Sequence, residues 1–517
     1  MNLLTSHRIH ARASEETSDR PINLYRFESA VSYKADPLAL YHGLTQGNKN
    51  TLLYESADLD HQHALKSFMI IDVSLRIAGL RDEVTVTALT LNGEGMLKIL
   101  AESALKPYLS EKNRKALRFK FKEEHPHSPI DILRTIQALA DPALDNDYSL
   151  FLGGLLGYDL VGFYHGITIP EKNRTHDMVV YLAESMVAID HVTKTATLQI
   201  NQYGDDAELE MQLRDRFVEL KEAIAERYTL PEAPKKVAKP EVIESDETHF
   251  LESVTALKER IKSGEFAQIV PSRTFKIACD SPLHAYARLK ASHPSPYLFY
   301  LNDADFVLFG ASPERALKFD RISRELELYP IAGTKPRGRI DGEIDPTLDE
   351  RIEEELKNDP KEVSEHMMLV ELAKEDLAPI SEADSIIVRD LMKIDRYAYV
   401  MHLVSRVQSR LQPGLDAFDA YIATMNMGTL TGSPKGHAME TIYQIEDEAR
   451  GSYGGGIGYL TSFGDLDSCI VIRSAMVKEG IAKVQAGAGI VADSVPQTEL
   501  EETRNKASAV VRAIVGE

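Results

Sequence analysis

The chain of 517 residues is too long for one ordinary core at roughly 100–200 residues per domain, and 43% hydrophobic with 27% charged residues excludes general disorder. Its 59 Lys+Arg against 80 Asp+Glu leave a net charge of −21, which argues against nucleic-acid phosphate or anionic lipid as partners and demands local cations or a metal for any anionic substrate. The only two cysteines, Cys279 and Cys469, lie far apart in dissimilar contexts, arguing against a disulfide framework or structural zinc and for a reducing compartment.

Residues 1–30 mix Arg8, Arg12 and Arg20 with Glu15, Glu16 and Asp19 and lack an apolar signal core, so they read as a polar extension of a cytosolic protein. Residues 82–93 alternate as a strand ending in an Asn-Gly turn. Residues 207–227 read as a helix with Leu209, Leu213, Val218, Leu220, Ile224 and Ala225 on its apolar stripe. Gly153, Gly154 and Gly157 indicate tight backbone packing. Residues 230–245 hold three prolines and little apolar content, and read as a linker between a domain at 31–229 and another at 246–517.

Beyond the linker, Asp246 is placed to cap a helix on which Phe250, Val254, Leu257 and Ile261 share a face, with Gly264 ending it. Within 267–275, Gln268 and Ser272 share a strand face, and Pro271 marks an edge or an interruption. Further strands are expected at 297–301, 306–309, 325–329, 397–407, 469–477 and 482–491. The helices between them cluster rather than alternate strictly, which predicts an α+β fold rather than a doubly wound sheet.

Several segments combine groups that carry chemistry. Glu362 and Glu365, like Glu499 and Glu502, are spaced to share a helix face. If the two faces meet, four carboxylates repel unless a hard divalent cation such as Mg²⁺ lies between them; otherwise both are solvated acidic faces. Gly487-Ala488-Gly489 opens a GxGxxA match, but Pro496 shortly after disfavours the helix start that a dinucleotide site needs, leaving either a carboxylate-binding turn or tight strand packing. The Gly454–Gly458 run reads the same way, and Gly428 to Lys435 lacks phosphate-loop spacing. His402 faces with Val400 and Val404, as a core histidine or a site residue. Glu314, at a strand end, is either a general acid with a raised pKa or the partner of Arg315.

In this order the segments AQIVPSR, FGASPE, YPIAGTKPRG, KEVSEHMMLVELA, DRYAYVMHLVSRV, GTLTGSPK, GSYGGGIGY, DSCIVIRSA, QAGAGIVADS and EETRNKA closely resemble the chorismate-utilising enzymes. The resemblance runs almost continuously from Phe250 to Val515, and more weakly through Leu53 to Ala57 and Gly153 to Leu160. It implies large, mostly antiparallel sheets with helices outside, plus a smaller N-terminal α/β regulatory part. By resemblance Glu365 and Glu502 would hold Mg²⁺, with Glu362 and Glu499 nearby or acting through water. Amides around Gly487, Ala488 and Gly489 would meet the ring carboxylate, and Arg473 and Tyr453 the enolpyruvyl carboxylate. Thr429, Gly333 and Thr334 would line the pocket, with Lys506 adding positive charge.

The resemblance also separates reactions. Relatives that add water carry lysine where Gln268 stands, and those that make aminodeoxychorismate carry lysine at Ala332. Their absence implies direct addition of ammonia at C2, with Glu314 protonating the departing C4 hydroxyl. His402 would assist elimination of pyruvate from aminodeoxyisochorismate, giving anthranilate, the first step of tryptophan biosynthesis. Neither cysteine has the sequence surroundings of a glutaminase nucleophile, so a separate glutaminase subunit is implied. Glu55, Ser56, Pro294, Ser295, Pro296, Tyr297 and Leu298 match the family's tryptophan feedback site, although His293 and Leu298 depart from it. Lys374-Glu375 and Gly436-His437 are further departures. They leave open a paralogue that stops at aminodeoxyisochorismate; aminodeoxychorismate synthesis, a nicotinamide dehydrogenase and a silent glutaminase activator are weaker alternatives.

Overall fold

The computed structural model describes residues 22–58, 63–122, 124–234, 240–340, 342–396 and 400–516. Residues 1–21 of the polar extension, part of the 230–245 linker and the start of the 397–407 strand lie outside them. The described remainder corrects two readings: Leu24–Val31 is a strand paired with Thr195–Tyr203 rather than an extension, and Val242–Glu244 in the linker pairs with the strand Ser272–Ala278.

The architecture is α+β, as the clustered pattern predicts, and its strand ladders are antiparallel. Strands from the two halves of the chain interleave. Tyr297–Asn302 pairs with Thr51–Asp58 on one side and Val307–Ser312 on the other. Gly456–Leu460 pairs with Leu152–Leu156, where a Cβ at Gly154 would lie 2.2 Å from the Val179 carbonyl oxygen, so that glycine serves close backbone approach. One apolar core correspondingly joins Leu53, Met69 and Val187 to Phe309, Ala475 and Val510.

Local signals hold in the helices. The Asp246 side chain accepts from the Thr248 and His249 amides and caps Glu247–Lys262, whose buried Phe250, Val254, Leu257 and Ile261 each contribute roughly 1.5–3 kcal/mol by leaving water. In Ala207–Ala225 the buried stripe is Leu209, Leu213, Phe217, Leu220 and Ile224. Val218 and Ala225 are exposed instead, because Phe217 continues the 3.6-residue period through Leu213.

Three strand readings change. Asn92 and Gly93 lie in the first turn of the helix Leu91–Glu102, because Thr90 caps it and the Asn92 side chain bonds the Tyr203 amide and Asn201 carbonyl. The 267–275 segment is split at Val270-Pro271: Gln268–Ile269 pairs with Gly432–Ser433, whereas Ser272–Ala278 pairs with Ile481–Gly487. Residues 469–477 form the ends of two strands, Leu466–Ile470 and Ser474–Lys478, with Arg473 at φ +49° in the break.

Candidate active site

The breaks at Val270 and Arg473 border a cavity of about 620 Å³, within the range of small-molecule sites. Glu314, Gly333, Thr334, His402, Thr429, Tyr453, Arg473, Gly487, Gly489 and Lys506 all line it, together with Glu362, Glu365 and Glu502. Another cavity, of about 580 Å³, lies on the N-terminal half, but its Arg134 is already committed to Asp131, Asp416 and Asp419.

Each wall has a local cause. Strand Ile331–Pro336 pairs with Val400–Arg410 through a bulge between Ala332 and Thr334, where Gly333 adopts φ +77°. A Cβ at Gly333 would also lie 3.1 Å from Glu362 Oε2. The bulge brings Thr334 opposite His402, with Thr334 Oγ1 2.9 Å from Nδ1. Helix Pro360–Leu377 begins with proline after an Asp359 cap and packs on that strand, carrying Glu362 and Glu365 inward. Helix Pro496–Val515 packs on Ile481–Gly487 and presents Glu502 and Lys506.

Burial dominates the electrostatics. It pushes Glu314 up to about 8 against the opposing pull of Thr429, Arg473 and Lys506, leaving a protonated carboxyl at neutral pH. Arg315 does not pair with it; that guanidinium engages Glu327 and the Tyr297 hydroxyl. Burial lowers His402 to about 4, with Arg473 acting in the same direction, so the imidazole is neutral. Although Thr429 stands beside Glu314, its buried Oγ1 completes no hydrogen bond of good geometry, and on the cavity wall it marks a position for a ligand atom; Gln268 Oε1, behind the wall, is likewise buried without a partner. Gln268 itself stands just behind Gly489, where an added Cβ would meet its Nε2 at 2.4 Å.

Glu362 and Glu365 from one helix and Glu502 from the other line the same cavity. Burial first, then Glu362 and Glu502, raise Glu365, while Glu362 is raised chiefly by burial. Burial opposes ionisation of Glu502, but Lys506 Nζ at 2.5 Å outweighs it and holds the carboxyl below its usual range. Glu499 is 2% exposed and raised by burial. Hard carboxylate oxygens in mutual repulsion suit a divalent cation such as Mg²⁺. Among the described residues, however, no group of three or more acidic, histidine or cysteine side chains is assembled as a metal site. The donor chemistry therefore fits the ion, while the carboxylates are not drawn together.

Ala488 is fully buried beneath the cavity wall. Ala332 reaches the cavity beside Leu369 and Leu372, a small apolar position where a longer side chain would enter. Lys361 and Asn505 also line the cavity and were not singled out from the sequence. Their signal was adjacency: Lys361 precedes Glu362, and Asn505 follows Glu502 by three on one helix face.

The Glu55 carboxylate is buried and accepts from the Tyr286 hydroxyl at 2.7 Å and Lys290 Nζ at 2.5 Å. Ser56 and Glu55 stand opposite Tyr297 and Leu298 in the ladder. Pro294 and Ser295 line the large cavity; Pro296 precedes the strand. No helix among the described residues is long and apolar enough to cross a membrane.

A model of the chorismate-binding enzyme family matches residues 98–512. Anthranilate synthase component 1 of Escherichia coli (strain K12) is 47% identical over 517 residues, covering 96% of this chain and 98% of its own length. That of Vibrio cholerae is 46% identical over 499 residues, covering 94% and 95%. The solved structure of anthranilate synthase component I from Streptococcus pneumoniae TIGR4 matches with TM-score 0.68 at 29% identity, over 87% of this chain and 92% of that one. The menaquinone-specific isochorismate synthase from Escherichia coli matches with the same TM-score at 18% identity, covering 96% of both chains, a likeness of fold alone.

Proposed function

Because this chain belongs to the chorismate-binding enzyme family, we propose that it converts chorismate and ammonia to anthranilate and pyruvate as the large component of a two-component anthranilate synthase. The observation that carries this reading is the cavity itself. It joins a protonated Glu314, a neutral His402 and the cations Arg473 and Lys506 around a space large enough for chorismate. Those cations answer the problem that a net charge of −21 sets for a dianionic substrate.

Arg473 and Tyr453 hold the enolpyruvyl carboxylate, and the amides around Gly487 to Gly489 face the ring carboxylate. Glu365 and Glu502 would hold Mg²⁺, with Glu362 and Glu499 beside them, and the bound ion would neutralise that ring carboxylate. Ammonia adds at C2 as Glu314 donates its proton to the C4 hydroxyl, which leaves as water. Proton donation of this kind contributes typically about 10²–10⁴-fold. The ammonium formed at C2 then gives a proton back to the Glu314 carboxylate, which restores the acid. His402, neutral and oriented by Thr334, assists loss of pyruvate. Gln268 and Ala332 supply no base and no competing amine.

Ammonia comes from a separate glutaminase subunit, and tryptophan inhibits through the Glu55 and Tyr297 ladder in the N-terminal part, residues 31–229, which regulates the catalytic part, residues 246–517. In support, Tyr297–Asn302 lies directly between the Glu55 strand and the strand leading to Glu314. The test is fluorescence of anthranilate with chorismate, Mg²⁺ and ammonium at alkaline pH. Release of isochorismate or aminodeoxychorismate instead would overturn the reading.

A further inference from the structure

The wall that carries Tyr453 is held by the N-terminal half of the chain. Gly157, Tyr158 and Asp159 end the glycine-rich segment there, yet they lie against the turn 451–454 and the residue before it. Burial pushes Asp159 up to about 6 against the pull of the Tyr443 hydroxyl, so at neutral pH it is an ionised carboxylate that only accepts. It is 1% exposed and accepts from the Gly451 amide at 2.7 Å, the Tyr443 hydroxyl at 2.7 Å and the Arg450 amide at 3.2 Å. The Tyr158 amide in turn donates to the Gly451 carbonyl at 2.8 Å. Only glycine fits at the join. A Cβ at Gly157 would lie 2.9 Å from the Gly451 carbonyl oxygen, and one at Gly455 would lie 2.5 Å from that of Leu156.

Arg450 carries this contact to the cavity. Its guanidinium is fully buried over two rings, 4.7 Å from the Tyr158 centroid and 5.5 Å from that of Tyr453. Nη1 donates to the Leu430 carbonyl at 2.7 Å and Nη2 to that of Val270 at 2.8 Å, while Glu446 receives a fork of two bonds at 2.6 and 3.0 Å. Tyr453, Val270 and Leu430 all line the large cavity, and Arg450 stands behind them. One cation thus fixes three pieces of wall that are distant in sequence. Four of its five N–H donors are spent on the protein, so it acts on substrate through the groups it holds. A lysine ammonium, a point charge without the planar fork, cannot reproduce this set.

We propose that Asp159 and Arg450 are positioning residues for the substrate: together they hold the Tyr453 hydroxyl against the enolpyruvyl carboxylate, so that the N-terminal half completes the chorismate site. This rests on the role given to Tyr453 above. A contact made equally in the ground and transition states sets KM and spares kcat. With the full chain, Mg²⁺ and ammonium, Asp159→Asn and Arg450→Lys are each expected to raise KM for chorismate about tenfold while kcat changes less than about threefold. Inhibition by benzoate, which carries the ring carboxylate alone, should change less than about twofold. In a Tyr453→Phe background both effects should vanish, because changes that act through one hydroxyl do not add. A fall in kcat at unchanged KM, an equal loss of benzoate binding, or a full effect in the Tyr453→Phe background would overturn the proposal and leave a contact that serves the fold alone. Asp159→Asn is nearly isosteric, and its failure to fold would carry the same meaning. If Tyr453→Phe by itself leaves KM unchanged, the role of Tyr453 fails and the positioning role with it. If the unmodified chain forms no anthranilate, the reaction itself is misassigned and both fall.

Discussion

Thr334 Oγ1 lies 2.9 Å from His402 Nδ1 across the bulge at Gly333, so the backbone irregularity that opens the pocket also orients its imidazole. With His402 lowered to about 4, that ring is neutral throughout the working range. Thr334→Val should therefore lower the rate of pyruvate elimination about tenfold, the value of one buried hydrogen bond of roughly 1–1.5 kcal/mol. Aminodeoxyisochorismate should accumulate in chromatographic time courses, and more strongly in His402→Asn. Unchanged product ratios in both variants would remove His402 from the second step.

Glu314 makes a prediction about pH. Its carboxyl titrates at about 8 rather than 4.5, so at fixed free ammonia kcat/KM for chorismate should fall as pH rises through about 8. Glu314→Gln should lose about 10²–10⁴-fold in kcat. Stability follows the same group. A raised folded pKa contributes stability that is fully present below 4.5 and lost as pH rises through about 8. Relative to Glu314→Gln, the parent should lose roughly 3–5 kcal/mol between pH 4.5 and 9. Urea unfolding of both proteins at the two pH values measures this, and a constant difference would contradict it.

Mutual repulsion among Glu362, Glu365 and Glu502 should be relieved by Mg²⁺. Saturating Mg²⁺ at about 100 times its dissociation constant should stabilise the parent by about 2.7 kcal/mol, read as a rise in Tm. Glu365→Gln should lose most of that rise as well as activity, and a chelator should reverse it in the parent. A Tm indifferent to Mg²⁺ would exclude these carboxylates as its site.

The Glu55 carboxylate, held by Tyr286 and Lys290, is the charged group of the proposed effector site. Glu55→Gln should raise the tryptophan concentration for half-inhibition about tenfold, an energy of roughly 1.4 kcal/mol, while leaving kcat for ammonium nearly unchanged. Inhibition of equal strength in the variant would place the effector elsewhere.

Features set by neighbours in the chain were legible without coordinates. The Asp246 cap, the Phe250 to Ile261 stripe, the stop at Gly264 and the paired glutamates three apart each depend on a few consecutive residues, and each stands in the structure. Local pattern misled where a distant contact competed. Asn92 entered a helix because its side chain bonds the backbone around Tyr203, and the stripe of Ala207–Ala225 shifted to Phe217, which packs against Phe27. The likeness of the ordered motifs supplied the candidate site residues, but spacing could not separate Glu314 paired with Arg315 from Glu314 alone.

Folding together decided that question and the largest ones. Arg315 turned to Glu327 and Tyr297, leaving Glu314 buried and protonated. The break at Arg473 and the bulge at Gly333 placed groups distant in sequence around one cavity. Sequence determines helix caps, apolar faces and residue chemistry because these arise from short-range sterics and hydrogen bonding. Burial, which sets the protonation of Glu314 and His402 and leaves Gln268, Thr429 and Gln485 with orphaned atoms, arises only when distant segments close over them and exclude water.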